Sequence, residues 1–527
     1  HEHGYRWAML GGGWLIYFSF GLLSAAMAPL VAVISRDLGL SFSVSTGNEA
    51  ASSVEDYVDY LLDDDATQVI AMIVEQFRKP RRFLAAARRA RTLGKTIVLL
   101  HPGKSSAARE SAATHTGAMA GDYQLMRAKV ERAGVIVAET LEELGDIAEI
   151  ALRCPAVPAT GVAVLGESGA FKALTLDLCE GLALDLPQVD DGNAPALRAA
   201  LPDFVGVSNP LDLTAQGLVD PPLYQRTLAA LFSDARFGSI VAGIIQTDPV
   251  TVGIKLPPIL RAVEEEKPAK PVILAGLDEG ASIPQDWIGR LRALGIPYFP
   301  STERAFRALK RLNAHARRDF GAADPAPAPA IDLPAQGGVI PEYQAKALLV
   351  PLGIPFPRGA FCTSVEEAIA AADRIGYPVV LKAQAAALSH KSDAGGVLLN
   401  LANADAVRAA WDQLHANVAA YDAGLRLDGA LLEGMGERGV ELIIGAKSDP
   451  DWGPVVLAGF GGVTAEILQD VRLFTPDLPL DAIVRELHQL KQAALLRGFR
   501  GAPALDVDAV ARIIATLGRL LLAQPAI

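Results

Sequence analysis

The chain has 527 residues, 51% of them hydrophobic, with 48 glycines, 34 prolines and a formal net charge of −12. That length exceeds one core and predicts about three domains of α/β composition, while the acidic balance excludes nucleic acid as the main partner. Cys154, Cys179 and Cys362 are too far apart for a metal motif or a disulfide framework, which points to a reducing, cytoplasmic compartment.

Residues 7–35, WAMLGGGWLIYFSFGLLSAAMAPLVAVIS, carry no charged side chain. The run exceeds the roughly 20 residues that span a bilayer core as a helix and is too long for the core of a signal peptide. With RDLGLS after it, it resembles the first transmembrane helix of a major-facilitator transporter. Two outcomes stay open. One is an apolar N-terminal helix within 1–41 that anchors the chain to a membrane through 7–35. The other is a buried strand and helix interrupted by Gly11 to Gly13 and Pro29, with LVAVIS at 30–35 as the piece suited to a buried parallel strand. No second run of this length follows, so the chain as a whole is not a transporter.

From about residue 42 strands and helices alternate. VEDYVDYLLDD (54–64), RRFLAAARRARTLG (81–94), YQLMRAKVERAG (123–134) and LEELGDIAEIALR (141–153) predict helices, and TQVIAMIVE (67–75) and KTIVLLHPG (95–103) predict buried strands. Between them, ESAATHTGAMAGD (110–122) sets His115 among residues too small to bury an imidazole. TGVAVLGESGAFKALTLDLCEGLAL (160–184) reads as strand, Gly-rich turn and helix, and GSIVAGIIQTD (238–248) and KPVILAGLDEG (270–280) as buried strands. This alternation implies parallel sheets. Ser168 and Gly169 open a helix directly after a strand, where free N–H groups and the positive helix end attract an anion. SNPLDLT (208–214) offers a second such site, with Asn209 and Asp212 as polar groups beside an apolar strand.

A Pro/Ala-rich linker, 321–338, precedes a third domain. It opens with a helix in IPEYQAKALLVPLG. PVVLKAQ is then a strand carrying Lys382, a cation placed for a nucleotide phosphate. SHKSDAGGV is a small-residue loop holding His390, Lys391 and Asp393, and the backbone N–H groups at Gly395 and Gly396 are expected to approach phosphate oxygens. Glu433 lies on a strand whose neighbouring backbone groups would read a nucleotide base, and Glu441 lies on the next strand.

STGNEA, AATHTGAMAG, GESGAFKAL, SNPLDLT, GYPVVLKAQ, LSHKSDAGGVLLNL, GVELIIGAKSDPDWGPVVLAGFGG and LLRGFRG occur in this order across residues 42–527. In these stretches the chain resembles the NDP-forming acyl-CoA synthetases, the acetate–CoA ligase (ADP-forming) relatives of succinyl-CoA synthetase. The resemblance implies two flavodoxin-like parallel-sheet domains, 42–155 and 156–320, followed by an ATP-grasp domain, 339–527. It implies an acid–thiol ligase that joins a small carboxylic acid to CoA, with ATP cleaved to ADP and phosphate through acyl-phosphate and phosphohistidine intermediates. His115 matches the phosphorylated histidine, whose neutral imidazole is a good nucleophile near pH 7. His390 matches a second relay station nearer the nucleotide. Glu167 or Glu110 would orient the His115 ring; alternatively Glu167 only complements the helix dipole. The implied cofactors are ATP/ADP, CoA and Mg2+. The stretch TGVAVLGESGAFKALTLDLCE is similar to relatives that act on aryl acids such as ferulate.

The departures from that family are at the ends. Its CoA-binding Rossmann domain has no counterpart before residue 42, and the apolar run stands where the first strand and helix of the first flavodoxin-like domain are expected. The chain begins with His1 and stops at LGRLLLAQPAI, before the acidic strand and INPL-like segment that bind magnesium in the family. The expectation is a partial or fused form, completed by a partner that supplies the CoA-binding domain or acting as a homo-oligomer. A non-catalytic, membrane-tethered nucleotide-binding module is the alternative, and a protein acetyltransferase a weaker one.

Overall fold

The computed structural model describes residues 14–17, 42–46, 49, 52–105, 107, 122–154, 156–278, 281, 283–321, 331–334, 337–388, 390–437, 439–462, 468 and 470–527. It divides into two compact units, His1–Phe320 and Gly321–Ile527.

The first unit holds two five-stranded parallel sheets. Strands β1 (Trp14–Tyr17), β2 (Phe42–Ser45), β3 (Val69–Ile73), β4 (Thr96–Leu100) and β5 (Val135–Ala138) run in the order β2-β1-β3-β4-β5. Helices α1 (Val54–Leu62), α2 (Pro80–Thr92), α3 (Tyr123–Ala133) and α4 (Leu141–Arg153) alternate with them, near the predicted positions. Local chemistry sets their ends. Pro80 opens α2, where a missing N–H is harmless. Asp122 caps α3 by accepting from the N–H groups of Gln124 and Leu125 at 3.0 and 3.1 Å, and Gly134 closes it in the left-handed conformation at φ 105°.

The apolar N-terminal run enters this sheet. Trp14 pairs with Phe42 on one side and Ile70 on the other, and Tyr17 with Ser45 and Ile73, all parallel. At these four residues the expected helix is therefore a strand. A position between β2 and β3 gives the backbone partners on both sides, which an apolar stretch needs when it leaves water. Residues 7–13 and 18–35 lie outside the described residues. Among the described residues no helix is long and apolar enough to cross a membrane.

The second sheet contains β6 (Gly161–Gly166), β7 (Leu211–Asp212), β8 (Phe237–Ile244), β9 (Val272–Gly276) and β10 (Tyr298–Phe299) in the order β10-β9-β8-β6-β7. Its helices include α5 (Gly169–Leu182), α6 (Pro222–Ser233), α7 (Pro249–Glu266) and α8 (Thr302–Ala316). One core joins the two sheets: Ile147 and Ile150 of α4 and Phe306 and Leu309 of α8 pack with Val98, Val162, Val241 and Ile273. Arg304 of α8 grips the buried Asp146 of α4 through two nitrogens at 2.9 and 2.5 Å.

The second unit is antiparallel. Strands β11 (Gly359–Cys362), β12 (Val379–Gln384), β13 (Val397–Leu401) and β14 (Gly429–Gly434) form a sheet of order β11-β14-β12-β13. Helices α10 (Val365–Ile375) and α11 (Ala404–Tyr421) cover it, and α9 (Glu342–Leu349) precedes it. Strands β15 (Leu442–Asp449), β16 (Gly453–Phe460) and β17 (Val471–Phe474) form a second sheet. It packs on α12 (Leu480–Leu487) and α13 (Val507–Ala523) through Val456, Phe474, Ile483 and Ile514.

Candidate active site

In the second parallel sheet β6 lies between β7 and β8, so its two neighbours are reached in opposite directions. The crevice at the carboxyl end of such a strand is where open α/β sheets bind ligands. β6 ends at Gly166, Ser168 is extended (φ −155°, ψ 133°), and α5 starts at Gly169 without a cap bond from the Ser168 side chain. The strand end at Gly166 has no spare room, whereas Gly169 does. A Cβ on Gly166 would sit 2.3 Å from the Phe171 ring, and one on Gly169 would sit 3.6 Å from the Asp212 carboxylate. Ser168 and Gly169 thus form the strand-to-helix turn expected from sequence.

Glu167 lies buried beneath that turn. Its Oε2 accepts from Lys255 Nζ at 2.6 Å and from the Ile245 N–H at 2.8 Å, and its Oε1 accepts the Tyr224 hydroxyl. Lys255 Nζ also donates to the Ile245 carbonyl at 2.7 Å. Burial, and then the adjacent carboxylate, push the Tyr224 phenol far above its usual range. Lys255 and Tyr224 were not legible in the sequence as site residues. Their only signal was that both lie in segments that follow strands of this sheet. His115 and Glu110 lie outside the described residues, so the expected contact of Glu167 with the His115 ring does too.

Asn209 is engaged by backbone instead of being held for an anion. Its Oδ1 accepts from Val164 N–H at 2.9 Å, and its Nδ2 donates to the carbonyls of Val162 and Pro187 at 2.8 and 3.0 Å. The short strand β7 pairs only with Leu165 and Gly166, so the Asn209 amide continues the ladder along β6.

In the second unit three lysines surround two carboxylates. Lys382 of β12 lies 2.7 Å from Glu433 of β14 and 3.0 Å from Glu342 of α9. Lys346, one turn along α9, pairs with both carboxylates, and Lys391 reaches Glu342 at 3.1 Å. The cluster carries one net positive charge, with Glu433 only 2% exposed. Burial opposes the charge on Lys382, but its bonds to Glu433 and Glu342 hold its pKa above the usual range. Burial alone would raise Glu342; the lysines outweigh it and bring it down to about 2. Glu433 is thus a lysine counter-ion. The N–H groups after it are engaged as well, that of Gly434 by Arg358 and that of Met435 by Pro378.

The loop after β12 differs from expectation in where its N–H groups point. Those of Ala394, Gly395 and Gly396 bond to the carbonyls of His390, Ser392 and Lys391, closing the loop on itself. Gly395 has φ 60°, and a Cβ on Gly396 would meet Ala383 and the Lys391 carbonyl at 3.1 Å. These glycines therefore allow a tight turn against β12. His390 is exposed at the start of this loop, and Glu441 is exposed just before β15, its carboxylate beside Gly462. Among the described residues no group of His, Cys, Asp and Glu could hold a metal ion. The acids of this cluster are already paired with lysines, so they do not fit Mg2+.

Residues 333–527 match the ATP-grasp domain family, and residues 22–151 match the succinyl-CoA ligase like flavodoxin domain family. The second match begins at residue 22, inside the apolar run and after β1. A trans-feruloyl-CoA synthase of an unknown prokaryotic organism is 58% identical over 509 residues, covering 96% of this chain and 71% of that protein. The chain belongs to the ADP-forming acyl-CoA synthetase family. An acetate–CoA ligase (ADP-forming) I of Archaeoglobus fulgidus is 30% identical over 522 residues, covering 95% of this chain and 73% of the relative. A solved acetyl-coenzyme A synthetase 1 of Ca. Korarchaeum cryptofilum, in complex with phosphate and ADP, is 23% identical with a TM-score of 0.50. That match covers 59% of this chain and 66% of the solved one, and shows a shared fold. As a member of this family the chain is an acid–thiol ligase whose substrates are a carboxylic acid, CoA and ATP, with ADP as the nucleotide product.

Proposed function

We propose that this acyl-CoA synthetase activates an aryl acid of the ferulate type, through a phosphohistidine carried on the 110–122 loop. The observation that carries the reading is the presence of two anion-receptive centres, the open Ser168–Gly169 turn and the lysine cluster around Lys382. A phosphoryl group moving between an acyl phosphate and ADP needs a cation or free N–H groups at each end. His115, set among small residues, is the carrier, and exposed His390 assists at the nucleotide end. The aryl preference rests on the 58% identity with a feruloyl-CoA synthase. Mg2+ enters with the nucleotide and takes its protein ligands from outside the described residues. A partner chain supplies the CoA-binding part, or the chain acts as a homo-oligomer, and the reaction runs in the cytoplasm.

The test is incubation with ATP labelled at the γ-phosphate and Mg2+, with and without a chain that supplies a CoA-binding domain. An acid-labile, base-stable label on the protein is expected, lost in His115→Ala and reduced in His390→Ala. Ferulate with CoA should discharge it faster than acetate with CoA. Equal labelling of both histidine variants and the parent would overturn the relay, and faster discharge by acetate would overturn the aryl preference.

A further inference from the structure

We infer that Lys255 is a positioning residue for phosphoryl transfer: it cancels the charge of Glu167, so that the Ser168–Gly169 turn can accept a phosphoryl dianion. The inference rests on the reading of that turn as the anion site. A carboxylate next to the cap of α5 would otherwise repel the group that the turn must hold. Lys255 meets it at 2.6 Å, with both side chains only 3% exposed. The lysine reaches back from α7 to the end of β8, where the Ile245 carbonyl accepts a second hydrogen bond from it at 2.7 Å. The Ile245 N–H and the Tyr224 hydroxyl complete the carboxylate's partners. Tyr224 is fixed from behind, since Gly217 passes so close that a Cβ there would lie 2.5 Å from the phenol. Buried ion pairs are poor sources of net stability, and apolar side chains of the same volume often serve as well. A charge pair placed one residue from a helix N-terminus acts on what binds there, through the local potential.

The charges make the test signed. In the whole chain, Lys255→Met leaves Glu167 uncompensated and should weaken binding of inorganic phosphate, read by calorimetry, on the order of ten-fold. Glu167→Gln leaves the lysine positive and should tighten it, while the double variant should return close to the parent. The rate of labelling from ATP should follow the same order. A merely structural role would weaken all three variants together, and that result, or no change in any single variant, overturns the inference. If Lys255→Met does not fold by circular dichroism, Glu167→Gln decides, and phosphate binding no tighter than the parent's refutes it. A parent chain that neither binds phosphate nor takes label would bring down the anion-site reading and the inference together. A parent that does both, with single variants indistinguishable from it, would remove only the role of Lys255.

Discussion

Replacing Glu342 by Gln separates two effects of one carboxylate. Glu342 bonds Lys382 and Lys391, and Lys346 lies one turn away on the same helix. Its pKa falls from 4.5 to about 2, a difference of about 3 kcal/mol between the two protonation states. The side chain is 25% exposed, so solvent screening brings the contribution to stability to about 2 kcal/mol. A carboxylate depressed in the folded state stabilises above its unfolded pKa, and that stability is lost as pH falls through the folded pKa. At pH 7 Glu342→Gln should therefore be about 2 kcal/mol less stable, and the deficit should shrink between pH 4.5 and 2. Nucleotide should change in the opposite direction. ATP phosphates compete with Glu342 for the lysines, so the variant should bind ATP more tightly and gain more stability from it. Urea unfolding of the whole chain, followed by hydrogen–deuterium exchange in peptides from β12 and β14, reads this unit separately. A variant as stable as the parent at pH 7, or a deficit unchanged at pH 3, would refute the reasoning.

Two further outcomes follow from buried groups in the first unit. His101, after β4, packs beside Phe77 and Tyr123 at ring distances of 6.2 and 5.9 Å, and burial lowers its pKa from 6.5 to about 4. The unfolded chain then takes up the proton first as pH falls below 6.5, so stability drops toward pH 4. His101→Phe should abolish about 2 kcal/mol of that loss in denaturant titrations at pH 7 and 4.5, and an unchanged acid profile would count against a buried neutral imidazole. Asn209→Ala removes three bonds to backbone at Val162, Val164 and Pro187. It should lower stability by about 2–3 kcal/mol, with the phosphate affinity of any folded protein near the parent's; a stable variant with weakened phosphate binding would return Asn209 to the anion site.

The sequence by itself determined the alternation of strands and helices, the Ser168–Gly169 turn, and the Lys382 strand with its glycine loop. Each depends on short-range periodicity or on backbone freedom at one residue, so each is written within a dozen positions of the chain. The family was legible for the same reason, in ordered short motifs. Only the tertiary structure decided the rest. An apolar stretch such as WLIY satisfies a bilayer and a central strand equally well; the pairing of Trp14 with both Phe42 and Ile70 selects the strand. The glycine loop could have turned its N–H groups outward, but closing against β12 turned three of them in. Glu167 meets Tyr224 and Lys255 across 57 and 88 residues of sequence, and Glu342 meets Lys382 across 40. No local pattern encodes such meetings, because charges far apart in the chain are paired by the sheet order that brings strand ends together and by the burial that makes an unpaired charge too costly to keep.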